Sequence, residues 1–275
     1  MDRENFHLTD ADLDFLVAAV AAEVKDKPRL KELIVRDQTF RDGFIGDEKA
    51  FQRIMADEDA FLRVSPNLYF EILLRRARNE LETTTHTIEK AGTQKIAVFD
   101  TKEVVGLLSR RSVVIYLAEM LSSFTKIESY SFFYRVRRGI WRKIRFNDLD
   151  IDNLIRLCES VDEEHRLAFF KRIGDVCLFF LGIFPENIQY NYRYPSSGEL
   201  RPQIAGRVRR SVADLVKTGK KFYKLAAEHP GATTLGLSKV FRLFYGNFHT
   251  AQKPLNFIAE HYLHYARHNL FGFDE

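Results

Sequence analysis

Cysteine is scarce in this chain: Cys158 and Cys177 are the only two in 275 residues. No Cys-x-x-Cys pair exists, which excludes zinc ribbons and dithiol redox motifs. Two thiols fit a reducing compartment. Cys177 sits in the apolar run VCLFFLGIF and reads as a small buried hydrophobe. Long apolar stretches are missing too. The longest run falls well short of the about 20 residues that span a bilayer. Residues 1–16 show no basic region followed by an apolar one, so no signal peptide is expected. The expected location is the cytoplasm, with no membrane partner. No G-x-x-x-x-G-K-[ST] spacing is present, and YPSSGELRP reads as a turn-rich segment. His261, His264 and His268 share one helix face but lack the HExxH order, so no metal is expected. Arg78 and His86 are separated by Thr-rich residues and are not placed to act as an acid–base pair on one phosphodiester. No cofactor motif and no catalytic signature remain. The chain is read as non-enzymatic.

What is present is an ordinary globular balance, 45% hydrophobic and 29% charged, with a net charge of +4. A mildly basic chain, with a pI near 8.9, is compatible with an anionic partner. Phe is abundant at 24 residues, so much of the core must be aromatic. Helical patterning dominates. ADLDFLVAAVAAEV, PRLKELIVR and GDEKAFQRIMA are predicted helices in an acidic N-terminal region, 1–64. Ser65-Pro66 signals the start of the next helix, NLYFEILLRRARNELETT. EKAGTQ reads as linker and KIAVF as a short strand. Asp100 is expected to cap TKEVVGLL and Ser109 to cap RRSVVIYLAEMLSSF. Asn147 and Asp148 open the next helix, and a strongly apolar one follows from 163 to 184. Three more helices are expected over 203–228, 233–244 and 254–269.

After Phe124 the period changes from helical to alternating. With Arg137, Arg138 and Gly139 as a three-residue loop, Gly139 takes the left-handed position. Counting outward pairs Val136 with Ile140, Tyr134 with Arg142, Phe132 with Ile144 and Tyr130 with Phe146. The opposite face pairs Arg135 with Trp141, Phe133 with Lys143 and Ser131 with Arg145. One face is nearly all apolar, and the other is basic with aromatic interleaving. The helix from 203 adds a seam of Val208, Val212, Leu215, Gly219, Phe222 and Ala226. Arg207, Arg210, Lys217, Lys221 and Lys224 lie opposite, as a solvated face or a second anionic contact.

The order helix, short strand, helix, helix, strand, basic loop, strand resembles a winged helix-turn-helix domain. DTKEVVGLLSRRSVVIYLAEMLSSFTKI carries the resemblance, with the hairpin and FNDLDIDNL after it, over about residues 66–147. The resemblance implies a recognition helix with Val113, Leu117 and Met120 facing inward, and a wing at the hairpin. The expected fold is therefore mainly α: a winged-helix-like domain with a small antiparallel hairpin at 65–147, and a C-terminal helical domain at 148–275. The expected function is nucleic-acid association, plausibly as a DNA-binding transcription regulator. DNA or RNA phosphates would be met by Arg110, Arg111, Arg135, Arg137, Arg138, Lys143 and Arg145, with Trp141 among them. The alternative is a non-catalytic protein-interaction scaffold with a buried, degenerate winged helix. The outward face of the recognition helix is Val114, Ile115, Tyr116 and Ala118. Such an apolar face calls for a cover, either the C-terminal helices, a second copy or another protein.

Overall fold

Short polar side chains open most helices, and they do so in a computed structural model that describes residues 8–57, 59–91, 94–126, 129–137, 140–185, 210–263 and 267–272, with 88–91, 94–96, 129–137 and 140–147 described by backbone. Helix α1 (Asp10–Val20) starts at Thr9 in a capping box: Thr9 accepts from the Asp12 amide and Asp12 from the Thr9 amide. Asp26, Asp37 and Asp47 cap α2 (Lys27–Arg36), α3 (Gln38–Ile45) and α4 (Glu48–Ala56). After the single turn α5 (Ala60–Arg63), Ser65 caps α6 (Pro66–Thr83), with Pro66 in the first turn. Helices α3 and α5 occupy stretches where no helix was expected.

Asp12 does more than close α1. Its carboxylate is buried, and Oδ1 accepts from the Ser65 amide at 2.7 Å. One side chain thus ties the start of α1 to the start of α6. Asp12→Ala unpairs the amide of half-buried Ser65, worth about 1–3 kcal/mol, and removes the capping-box partner of exposed Thr9. We expect a loss of about 2–4 kcal/mol in urea unfolding, and a smaller loss for Asp12→Asn, which keeps one acceptor. A change below about 0.5 kcal/mol for the alanine variant would show that the tie is not structural.

Part of the segment read as linker is strand. β1 (Thr87–Ala91) pairs antiparallel with β2 (Gln94–Val98), from Thr87↔Val98 to Ala91↔Gln94. The two strands form their own ribbon. Helix α7 (Thr101–Leu108) leads after two residues into α8 (Arg111–Phe124). Ser109 does not cap α8. It keeps a right-handed helical backbone, and its hydroxyl donates back to the Val105 carbonyl at 2.8 Å. The second ribbon follows, β3 (Ser129–Arg137) with β4 (Ile140–Asn147).

Asp150, not Asn147 or Asp148, caps α9 (Ile151–Ser160). A 3-10 turn at Glu163–His165 precedes α10 (Leu167–Ile183). Helix α11 (Val212–Glu228) starts at Ser211 in a capping box with Asp214, and residues 203–209 of the expected helix lie outside the described residues. The helix read across 233–244 is two: α12 (Pro230–Thr234) and α13 (Ser238–Gly246). Gly236 breaks them at φ +70, a left-handed position that favours glycine. Pro254 lies inside α14 (Phe248–His261), and α15 (Arg267–Phe271) ends the described chain.

The chain divides into two compact units: Met1–Ser122 with Lys253–Tyr262, and Ser123–Gln252 with Leu263–Glu275. In the second unit, α10 is buried at every residue from Ile173 to Ile183. Helix α11 crosses it closely because Gly219 has no side chain. A Cβ there would stand 2.5 Å from the Phe248 ring and 3.0 Å from Cys177 Cβ. The polar exception is Asp175, fully buried, which accepts from Tyr223 Oη at 2.8 Å and Lys171 Nζ at 2.6 Å. Those donors offset the cost of burying a carboxylate.

Candidate nucleic-acid interface

The β3–β4 ribbon is built on sequence alternation and held at its base. Its backbone pairs Tyr130↔Phe146, Phe132↔Ile144 and Tyr134↔Arg142, alternating with Ser131↔Arg145, Phe133↔Lys143 and Arg135↔Trp141. These are the pairings that counting outward from the loop predicts. The tip differs. Arg137, not Val136, pairs with Ile140, and the register shifts between Arg135 and Arg137. The odd residue is absorbed as an irregularity at Val136 rather than in the turn, as β-bulges do. Arg138 and Gly139, the loop itself, lie outside the described residues.

One side chain meets both the end of α8 and the residue that follows the ribbon. Arg172 of α10 lies 3.9 Å over the ring of Phe124, which ends α8, and donates to Ser123 Oγ at 2.8 Å. It also ion-pairs with Asp148, just past β4, and donates to the Asp148 carbonyl at 3.3 Å. A cation on an aromatic face plus a charge-assisted pair fixes where the ribbon leaves the helical core.

The helix before the ribbon is arranged differently from a groove reader. Val113, Leu117 and Met120 are buried, as expected. The outward set is buried as well: Val114 is 3% exposed, Ile115 8%, Tyr116 2% and Ala118 3%. These side chains are therefore covered within the chain itself. At the start of α8, Arg110 is exposed. Arg111 is engaged: its Nε lies 3.2 Å from Asp42 Oδ2. Asp42 also accepts from Arg75 Nη2 at 2.7 Å, and Arg75 bonds Glu71 at 2.6 Å. Arg41 belongs to the same group. Burial, then the charge of Arg111, pushes its guanidinium below the usual value, against the opposing pull of Asp42 and Glu71. Arg111 therefore works as an internal tie, and Arg110 is the member of the pair open to a phosphate.

Other chemistries find little here. Burial raises the Cys177 thiol to about 12 and also raises that of Cys158, so neither presents a thiolate at neutral pH. Among the described residues no group of three or more His, Cys, Asp or Glu could hold a metal ion. His261 stacks on Phe257 with centroids 4.1 Å apart, His268 meets the ring of Phe184, and His264 lies outside the described residues. Among the described residues no helix is long and apolar enough to cross a membrane. No protein-family model, curated protein or solved structure matches the chain.

Sequence reasoning missed Arg172 and Asp42. Arg172 sits in the run FFKRIGD, where basic residues read as helix surface, and its partners lie 24 and 49 residues away. Asp42 and Arg111 are 69 residues apart. No local signal marks such pairs.

Proposed function

We propose that this chain is a non-catalytic nucleic-acid-associated protein that holds phosphates through the β3–β4 ribbon and leaves base edges unread. The observation that carries this reading is the partition of charge. The second unit, which contains the ribbon, has 23 Lys and Arg against 15 Asp and Glu, a surplus of +8. The first unit has 19 against 23, a deficit of −4. The net +4 of the whole chain hides this asymmetry. Polyanion binding draws on such a surplus whatever the base sequence.

The reading keeps the winged helix-turn-helix resemblance for the order of α6, α7, α8 and the ribbon. Helix α8 is then a packed member and not a reader, because groove reading needs exposed donors and acceptors on the helix. A transcription regulator that reads its site through α8 is not supported by that burial. The same burial favours a second reading, a helical interaction scaffold with a degenerate winged helix.

The test is affinity across duplexes of equal length and unrelated sequence. We expect dissociation constants within about threefold of one another, since no base-specific contact contributes the about 1–3 kcal/mol per base pair that a specific reader loses on mismatch. A preference of hundredfold for one sequence, or no binding to any, would overturn the reading.

A further inference from the structure

We infer that the outer faces of α11 and α13 form a second phosphate-binding surface, built from lysine, for the backbone of a nucleic acid. The two helices pack through the Tyr223 ring, whose centroid lies 5.4 Å from that of Phe244 and 6.1 Å from that of Phe241. The Ser238 hydroxyl also donates to the Ala227 carbonyl at 2.7 Å. Their apolar seams point into the core: Leu215, Phe222, Val240 and Phe241 are buried. Opposite the α11 seam stand Lys217, Lys221 and Lys224, at i, i+4 and i+7, all exposed. They extend over about 10 Å of helix. Lys220 is half-buried beside them, and Lys239 and Arg242 are exposed on α13.

This surface carries a surplus of positive charge. From 212 to 246 the sequence has six Lys and Arg against two acids, Asp214 and Glu228. Lys224 approaches Glu228 at 3.9 Å. Among the described residues no carboxylate pairs with Lys217, Lys220, Lys221, Lys239 or Arg242. Several basic residues elsewhere are matched: Arg75, Arg172, Arg210 and Lys253 each hold a carboxylate.

The chemistry selects the occupant. A membrane surface would be met by a helix with an apolar face to insert, and here those faces are used inside the protein. A protein partner would find an interface without an apolar centre, and charged residues are depleted at the centre of such interfaces. A phosphate backbone needs no apolar centre. It gains by counterion release, one phosphate per cation. Lysine suits it as a mobile point charge with three donors, indifferent to base sequence.

The inference rests on the proposed function, and the experiment separates their failures. Full-length protein is titrated at low salt, by fluorescence anisotropy, with duplex DNA, single-stranded DNA and single-stranded RNA. The variant is K217E/K221E/K239E, and the control is K27E/K49E/K102E, exposed positions of the first unit with the same change in net charge. We expect the first triple to bind at least tenfold more weakly, with the slope of log K against log salt on duplex DNA flatter by about 2–3. The control should stay within about twofold, because none of its three positions lies on α11 or α13. An equal loss in both, or none in the first, overturns the surface while leaving the ribbon reading intact. If the reversal variant loses its helical circular dichroism, K217Q/K221Q/K239Q takes its place, with a loss of at least threefold expected and an unchanged affinity overturning the surface. A wild type that binds no nucleic acid overturns both. So does binding only to vesicles rich in phosphatidylserine, since that assigns the lysines to a lipid surface.

Discussion

Phe179→Ala should destabilise the second unit by about 3–5 kcal/mol, the usual range for deleting a buried phenyl ring. Phe179 is fully buried in α10. Its ring stacks on Phe124 at 4.1 Å and meets Phe271 at 4.9 Å, Phe180 at 5.5 Å and Phe184 at 5.7 Å, each edge-on. Removing it forfeits its transfer from water and leaves a cavity that four rigid rings cannot collapse to fill. Phe179→Leu keeps most of the volume and should cost under about 1.5 kcal/mol. Phe124 links this cluster to the proposed function, because Arg172 lies over its ring while ion-pairing with Asp148, just past β4. Nucleic-acid affinity should therefore fall in the alanine variant even under conditions where most of the protein is folded. Urea unfolding at a fixed temperature checks the first effect. A loss below about 1 kcal/mol would mean that the ring cluster is not the core of this unit.

The parts of the fold that could be read from sequence are those set by local chemistry. Ser65-Pro66 marks the start of α6, and α7 spans the stretch after Asp100, although the Asp100 carboxylate holds Thr87 and Lys253 rather than capping the helix. Alternation from Tyr130 to Trp141 carries the ribbon register, because one slip would exchange its two faces. What failed depends on residues meeting from a distance or on a choice between near-equal local options. Val136 could be loop or bulge. Ser109 could cap α8 or bond back to α7, and with two residues between the helices the second is nearer. Pro254 reads as a helix start, yet α14 runs through it.

The candidate site divides the same way. The apolar outward face of α8 was legible as a surface needing a cover, and Val114 and Ile115 are buried. That Arg111 is spent on Asp42 was not legible, since an arginine at a helix start looks the same whether it faces phosphate or carboxylate. The charge asymmetry was present in the sequence but hidden. The units interleave, with Lys253–Tyr262 returning to the first, so no single cut along the chain isolates the positive part.

The most direct test of the phosphate-holding ribbon is the salt dependence of binding to a fixed duplex, measured for the wild type and for R137A/R138A. Each phosphate contact contributes about −0.9 to the slope of log K against log salt. The double variant should bind every sequence more weakly by the same factor, with a slope flatter by up to about 2. Its thermal midpoint should stay within about 2 °C of the wild type, the scale of a near-neutral surface change. A wild-type slope of several units that the double substitution reduces is the predicted result. A wild type with no salt-sensitive binding to duplex, or a slope that R137A/R138A leaves unchanged, would contradict a ribbon that holds phosphates.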